Sequence, residues 1–94
     1  MKYKSNAKYN EPVENGTVFE TTNGTIDICV HKYVGCGDTL YLSSNAVGIR
    51  NRKLKSEKII NAIHEAEIIV QEKVKMMKKD IEEICNSNVE ISRY

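Results

Sequence analysis

From Ser56 to Cys85 the chain contains neither glycine nor proline. A break-free run of this length, carrying apolar residues at helical spacing, has few folds open to it. The apolar positions are Ile59, Ile63, Ala66, Val70, Val74, Met77, Ile81 and Ile84, at steps of 4, 3, 4, 4, 3, 4 and 3. That is a heptad stripe with one additional four-residue step, which locally unwinds a supercoil. Ile60, Ile69 and Met76 form a second apolar flank. Ser56 is placed as an N-cap with Glu57 in the first turn, and Asn86 to Asn88 supply the stop. The expected helix spans 56–86.

Such a helix is long for its chain. Some 29 residues rising 1.5 Å each reach about 43 Å. A globule of this size has a diameter of roughly 32 Å. Either the helix breaks in two around Lys73 to Lys79, or a second chain covers its far end. Both outcomes favour a homo-oligomer assembled through the helix.

The 94 residues allow one domain. Ahead of the helix, 17–55 reads as a small antiparallel sheet. Thr17 to Thr22 and Thr25 to Tyr33 are rich in β-formers and flank Asn23–Gly24, a dipeptide suited to the positive φ of a tight hairpin. A two-residue loop pairs Thr21 with Ile26 and Phe19 with Ile28. Phe19, Thr21, Ile26, Ile28 and Val30 then share a core face; Val18, Glu20, Asp27, Cys29 and His31 take the other. The same register sets Glu20 against Asp27, an unfavourable like-charge pair. Gly35–Cys36–Gly37–Asp38 turns the chain into a third strand, Thr39 to Ser43. Ser44 to Lys55 reads as a loop or irregular edge segment. Residues 1–16 form a polar arm that Tyr3 and Tyr9 can pin to the sheet, and 87–94 form a tail. The fold class is α+β: three or more antiparallel strands, then one long C-terminal helix.

Net charge is +1, which argues against a grip on a nucleic-acid backbone. The longest apolar run, Ile68–Val70, is too short to span a bilayer. Met1 to Asn10 has no apolar core of an export signal, and the three cysteines are irregularly spaced. These features point to reduced thiols and a cytoplasmic setting.

Cys29, His31 and Cys36 in C-x-H-x4-C match no familiar zinc spacing, and no metal or other cofactor is expected. Gly35-x-Gly37 precedes a strand rather than a helix, so a turn explains it better than a phosphate cradle. No nucleophile, base and acid assemble into a catalytic set, and His31 and His64 are the only bases near neutral pH. A binding protein is therefore expected rather than an enzyme. The strongest binding signal is Arg50–Asn51–Arg52–Lys53–Leu54–Lys55, which ends at a helix N-terminus. Arg50 and Arg52 lie two apart, so an extended segment points both to one side. Tyr41 and Tyr33 on neighbouring strands offer stacking faces, and Arg93–Tyr94 repeats the chemistry. The expected ligand site is Arg50, Arg52, Lys53, Tyr41, Tyr33 and Arg93.

At Tyr41–Leu42–Ser43–Ser44, Val47–Gly48–Ile49, Leu54, Ser56, Ala62 and Ala66 the layout resembles small phage and prophage anti-defence proteins, nearest the first Thoeris anti-defence family of signal sponges. The resemblance implies an N-terminal antiparallel sheet, C-terminal helices and an oligomer. It also implies sequestration of a cyclic ADP-ribose-type nucleotide in the host cytoplasm, with aromatics on the bases and arginines on the phosphates across a protomer interface. The helix of this chain is rich in lysine and free of arginine, a departure from that pattern. Two alternatives remain at this point: a protein inhibitor of a host defence nuclease, of anti-CRISPR type, and a small nucleic-acid binder.

Overall fold

The computed structural model describes residues 1–93. Five antiparallel strands form one meander in the order β1-β2-β3-β4-β5: Lys4–Ser5, Val18–Thr22, Asp27–Lys32, Leu40–Ser44 and Ile49–Lys53. A single helix, α1, follows at Ile59–Cys85. The architecture is α+β, a sheet and then one long helix, as the pattern requires.

The core lies where α1 crosses one face of the sheet. Phe19, Ile28, Val30, Leu40 and Leu42 from the strands, with Val47 and Leu54 from the connections, are buried against Ala62, Ala66 and Val70. Both alanines are fully buried: small side chains let a helix backbone approach a sheet, and the larger strand residues fill the space beside them. Leu42 and Val30 are directly opposite each other and have no exposed surface.

Three expectations are corrected. The β2–β3 register is Thr22↔Asp27, Thr21↔Ile28 and Phe19↔Val30, a shift of two residues from the two-residue loop. The reason is Asn23: its side-chain oxygen accepts from the backbone N–H groups of Thr25 and Ile26, so a four-residue turn closes the hairpin. A shift of two preserves both faces, and Phe19, Ile28 and Val30 stay inside. It also separates Glu20 from Asp27; Glu20 now lies opposite Cys29 on one side and Lys4 on the other, which removes the like-charge conflict.

Second, the segment 44–55 contains a fifth strand. Its sequence hides this because Arg50 and Asn51 together oppose Ser43: the register changes between Leu42↔Arg52 and Ser44↔Ile49. Asn51 adopts φ 51°, and a bulge breaks the period-two alternation.

Third, Ser56 does not cap the helix. Lys58 occupies the cap position and makes no side-chain cap bond. Ser56 and Lys55 are instead held from within the helix: both Glu65 carboxylate oxygens accept the Lys55 N–H, at 3.0 and 2.9 Å, and Oε1 also accepts the Ser56 N–H at 3.0 Å. That carboxylate fixes where β5 ends and α1 begins. The amides push the Glu65 carboxyl below its ordinary range, against an opposing contribution from burial.

The helix is one unbroken element of 27 residues. It runs past the sheet, which gives the molecule a long dimension of 59 Å. The arm is not loose chain: Lys4–Ser5 pairs with β2, and the Tyr3 hydroxyl donates to Glu67 on α1 at 3.1 Å. Tyr9 pins nothing and is fully exposed.

Candidate functional site

One face of the sheet belongs to α1. The other is open, and its alternating positions decide what it offers. Across the strands run Val18, His31, Tyr41 and Lys53, each directly opposite the next. Tyr33, two residues after His31, lies beside them.

The rings form a cluster. His31 and Tyr33 meet edge to face with centroids 5.1 Å apart. Tyr33 and Tyr41 are also 5.1 Å apart, inclined at 64°. His31 and Tyr41 lie 6.1 Å apart and near parallel at 27°. These are favoured aromatic geometries, and together they preorganise an apolar patch with polar edges. Tyr33 remains 42% exposed. The rings pack on each other rather than standing apart as pincers, so the cluster presents one surface and not a slot.

Hydrogen bonds hold His31 in place. The Ser43 hydroxyl donates to Asn51 Oδ1 at 3.2 Å and accepts the Asn51 N–H at 3.0 Å. The same oxygen lies 3.1 Å from His31 Nε2, so the ring is tied to β4 and β5 through one hydroxyl. Burial lowers the pKa of His31, favouring neutral imidazole. The network positions the His31 ring on the open face. The bulge that breaks the pattern of β5 is also what turns Asn51 to this task.

The Cys29 thiol is not primed to react. Cys29 is shifted up, by burial first and then by Glu20 and Asp27, so it stays protonated. Tyr41 is also shifted up, by desolvation and then by the Cys36 thiol. All three cysteines are free. Among the described residues no group of His, Cys, Asp and Glu has the arrangement of a metal site, and no helix is long and apolar enough to cross a membrane.

Of the six residues expected at the site, the fold brings four to this face. Tyr33 and Tyr41 are in the cluster, Lys53 lies opposite Tyr41, and Arg50 shares the bulge facing Ser43. Arg52 is not with them: the bulge sets it opposite Leu42, on the helix side of the sheet edge, so the two guanidinium groups do not point together. Arg93 lies in the exposed tail after α1, with no hydrogen bond or ring contact to the cluster. His31, Ser43 and Asn51 were not expected. His31 was legible as a binding residue, since it stands two positions from Tyr33 and on the face opposite Ile28 and Val30. Asn51 was not, because a bulge has no simple sequence mark.

No protein-family model, curated protein or solved structure matches this chain.

Proposed function

We propose that this protein is a non-enzymatic binder of a small anionic nucleotide, which it holds on the open face of its sheet. The observation that supports this best is the ring cluster of His31, Tyr33 and Tyr41 with Lys53 directly opposite Tyr41. A nucleobase has a π-face to stack on such a patch, and a phosphate beyond it meets the Lys53 ammonium and the Arg50 guanidinium. The resemblance to signal sponges supplies the setting: sequestration of a cyclic ADP-ribose-type messenger in phage anti-defence, within the host cytoplasm and by a self-associated form of the chain. The arginine-poor helix moves the anion-binding role to the β5 edge.

The test is a thermal-shift and calorimetry screen against ADP-ribose, its cyclised isomers and cyclic dinucleotides. A ligand at a hundred times its Kd stabilises the folded state by about 2.7 kcal/mol. Replacing Tyr41 or His31 with alanine is expected to weaken binding roughly ten-fold or more, and Lys53→Ala similarly through the phosphate. Arg52→Ala, on the other side of the edge, is expected to bind like wild type. If no nucleotide in the panel shifts the melting temperature, the reading fails. A flat, exposed aromatic face also suits a protein partner, so capture of a nuclease at the same residues would favour the inhibitor alternative.

A further inference from the structure

The helix continues well beyond the sheet that covers its first half. Val70 is buried and Val74 and Met77 are half-buried, but Ile81 is 56% and Ile84 71% exposed. These five residues continue at steps of 4, 3, 4 and 3, the spacing of a coiled-coil seam. The sheet covers the start of this stripe, but Ile81 and Ile84 lie past it, and a second helix of the same period offers holes for such knobs.

The charges around the seam identify which helix, and in which direction. Lys73, Lys75, Lys78 and Lys79 make residues 73–79 basic, with no acidic residue among them. Asp80, Glu82 and Glu83 make 80–83 acidic, with no basic residue among them. In a parallel pair of identical helices, like blocks lie side by side. In an antiparallel pair, each basic block lies beside the partner's acidic block, twice over, and the helix dipoles also oppose favourably.

The sheet limits the register. The turn after β2 and the start of β3 reach α1 near Val74: Ile26, Ile28, Val70 and Val74 line a groove of about 350 Å³ between the hairpin tip and the helix. A partner helix cannot advance past this point without striking the sheet. Seating its end at the groove places Val74 opposite the partner's Ile84 and Met77 opposite the partner's Ile81, which fills the seam completely. The geometry points to an antiparallel homodimer through the overhanging half of α1, with the partner's Ile84 closing the mouth of the groove. This specifies the self-association named in the proposed function and is independent of any nucleotide.

Sedimentation and light scattering on the full chain test it. Wild type is expected at twice the monomer mass, and the double variant Ile81→Asp, Ile84→Asp at monomer mass with an unchanged circular-dichroism spectrum, since both side chains are exposed in the single chain. Met76→Asp, 63% exposed but off the seam, is expected to remain dimeric. Direction is read by oxidation of Gln71→Cys. Gln71 and Cys85 lie two heptads apart on one flank, so the antiparallel pair forms an intermolecular 71–85 disulfide, mapped by mass spectrometry. A 85–85 link instead would show a parallel pair and overturn the proposal. A monomeric wild type would overturn self-association altogether, whereas a dimer indifferent to the Ile81 and Ile84 substitutions would overturn only this interface.

Discussion

The Tyr3 hydroxyl reaches across to α1 and donates a 3.1 Å hydrogen bond to Glu67 Oε2, so the first residues of the chain are tied to the middle of the last element. Burial, then the Glu67 hydrogen bond and charge, push the Tyr3 pKa up. The sign follows: stability from this contact is complete below the ordinary tyrosine range near 10 and is lost as pH rises above it. Tyr3→Phe is expected to cost roughly 0.5–1.5 kcal/mol and to flatten the alkaline limb of a Tm-against-pH curve. An unchanged alkaline limb would show the contact to be idle.

Two carboxylates hold connections rather than ligands. Asp27 accepts the backbone N–H groups of Asn45 and Ala46, each at 2.9 Å, and Glu65 accepts those of Lys55 and Ser56. The amides of Ala46 and Asn45 lower the Asp27 pKa; those of Lys55 and Ser56 lower that of Glu65 against a desolvation cost. For lowered carboxylates, stability is present above their unfolded pKa near 4 and disappears as pH falls through the folded value. The depressed pKa of His31 acts in the same direction, because its unfolded form gains a proton first as pH falls below about 6.5. Stability should therefore decline on acidification from neutral pH. Asp27→Asn and Glu65→Gln should each cost about 1 kcal/mol at pH 7, solvent exposure having reduced the full value of a charged bond. Chemical denaturation at pH 7 and pH 4 measures both effects; a wild type equally stable at the two values would contradict them.

Gly16 is needed for space. Its φ of −64° suits any residue, but a Cβ there would collide with the Ser5 hydroxyl oxygen and press on Asn6 and Ala7. Ser5 is itself engaged, donating to the Val13 carbonyl at 2.6 Å. Gly16→Ala is expected to destabilise by about 1–3 kcal/mol and to release β1 from β2, visible as faster amide exchange at Asn6, whose N–H bonds the Val18 carbonyl. Slow exchange in the variant would show that the arm adjusts.

Core and overhang should respond differently to truncation. Leu42 has no exposed surface, and Leu42→Ala should cost about 2–5 kcal/mol. Ile84→Ala, on the overhang, should leave the monomer's stability nearly unchanged, and any loss should grow with protein concentration because it belongs to the dimer. Equal losses at low concentration would place Ile84 within the single-chain core.

The central hairpin, the third strand and the helical run after them were legible in the sequence, as was the inward parity of Phe19, Ile28 and Val30; the strands at Lys4–Ser5 and Ile49–Lys53 were not, and whether α1 ran unbroken was left open. What was legible depends on local properties: the absence of Gly and Pro from 59–85, alternation at Phe19, Ile28 and Val30, and turn residues at Asn23–Gly24 and Gly35–Gly37. A backbone period is written residue by residue, and parity survives even a register error of two. What only the tertiary structure decided was the exchange of partners across long separations. Asn23 was legible as a turn residue but not as the acceptor that lengthens the turn. Ser56 was a sound cap in isolation, yet Glu65 bonds the amides that precede the helix. The bulge at Arg50–Asn51 reversed the side on which Arg52 emerges, separated the two arginines, and brought Asn51 to Ser43 and thence to His31. A hydrogen bond that costs or gains about 1 kcal/mol is enough to choose between such local alternatives. The groups that make it come from distant parts of the chain, so the choice is made only when strands and helix have come together.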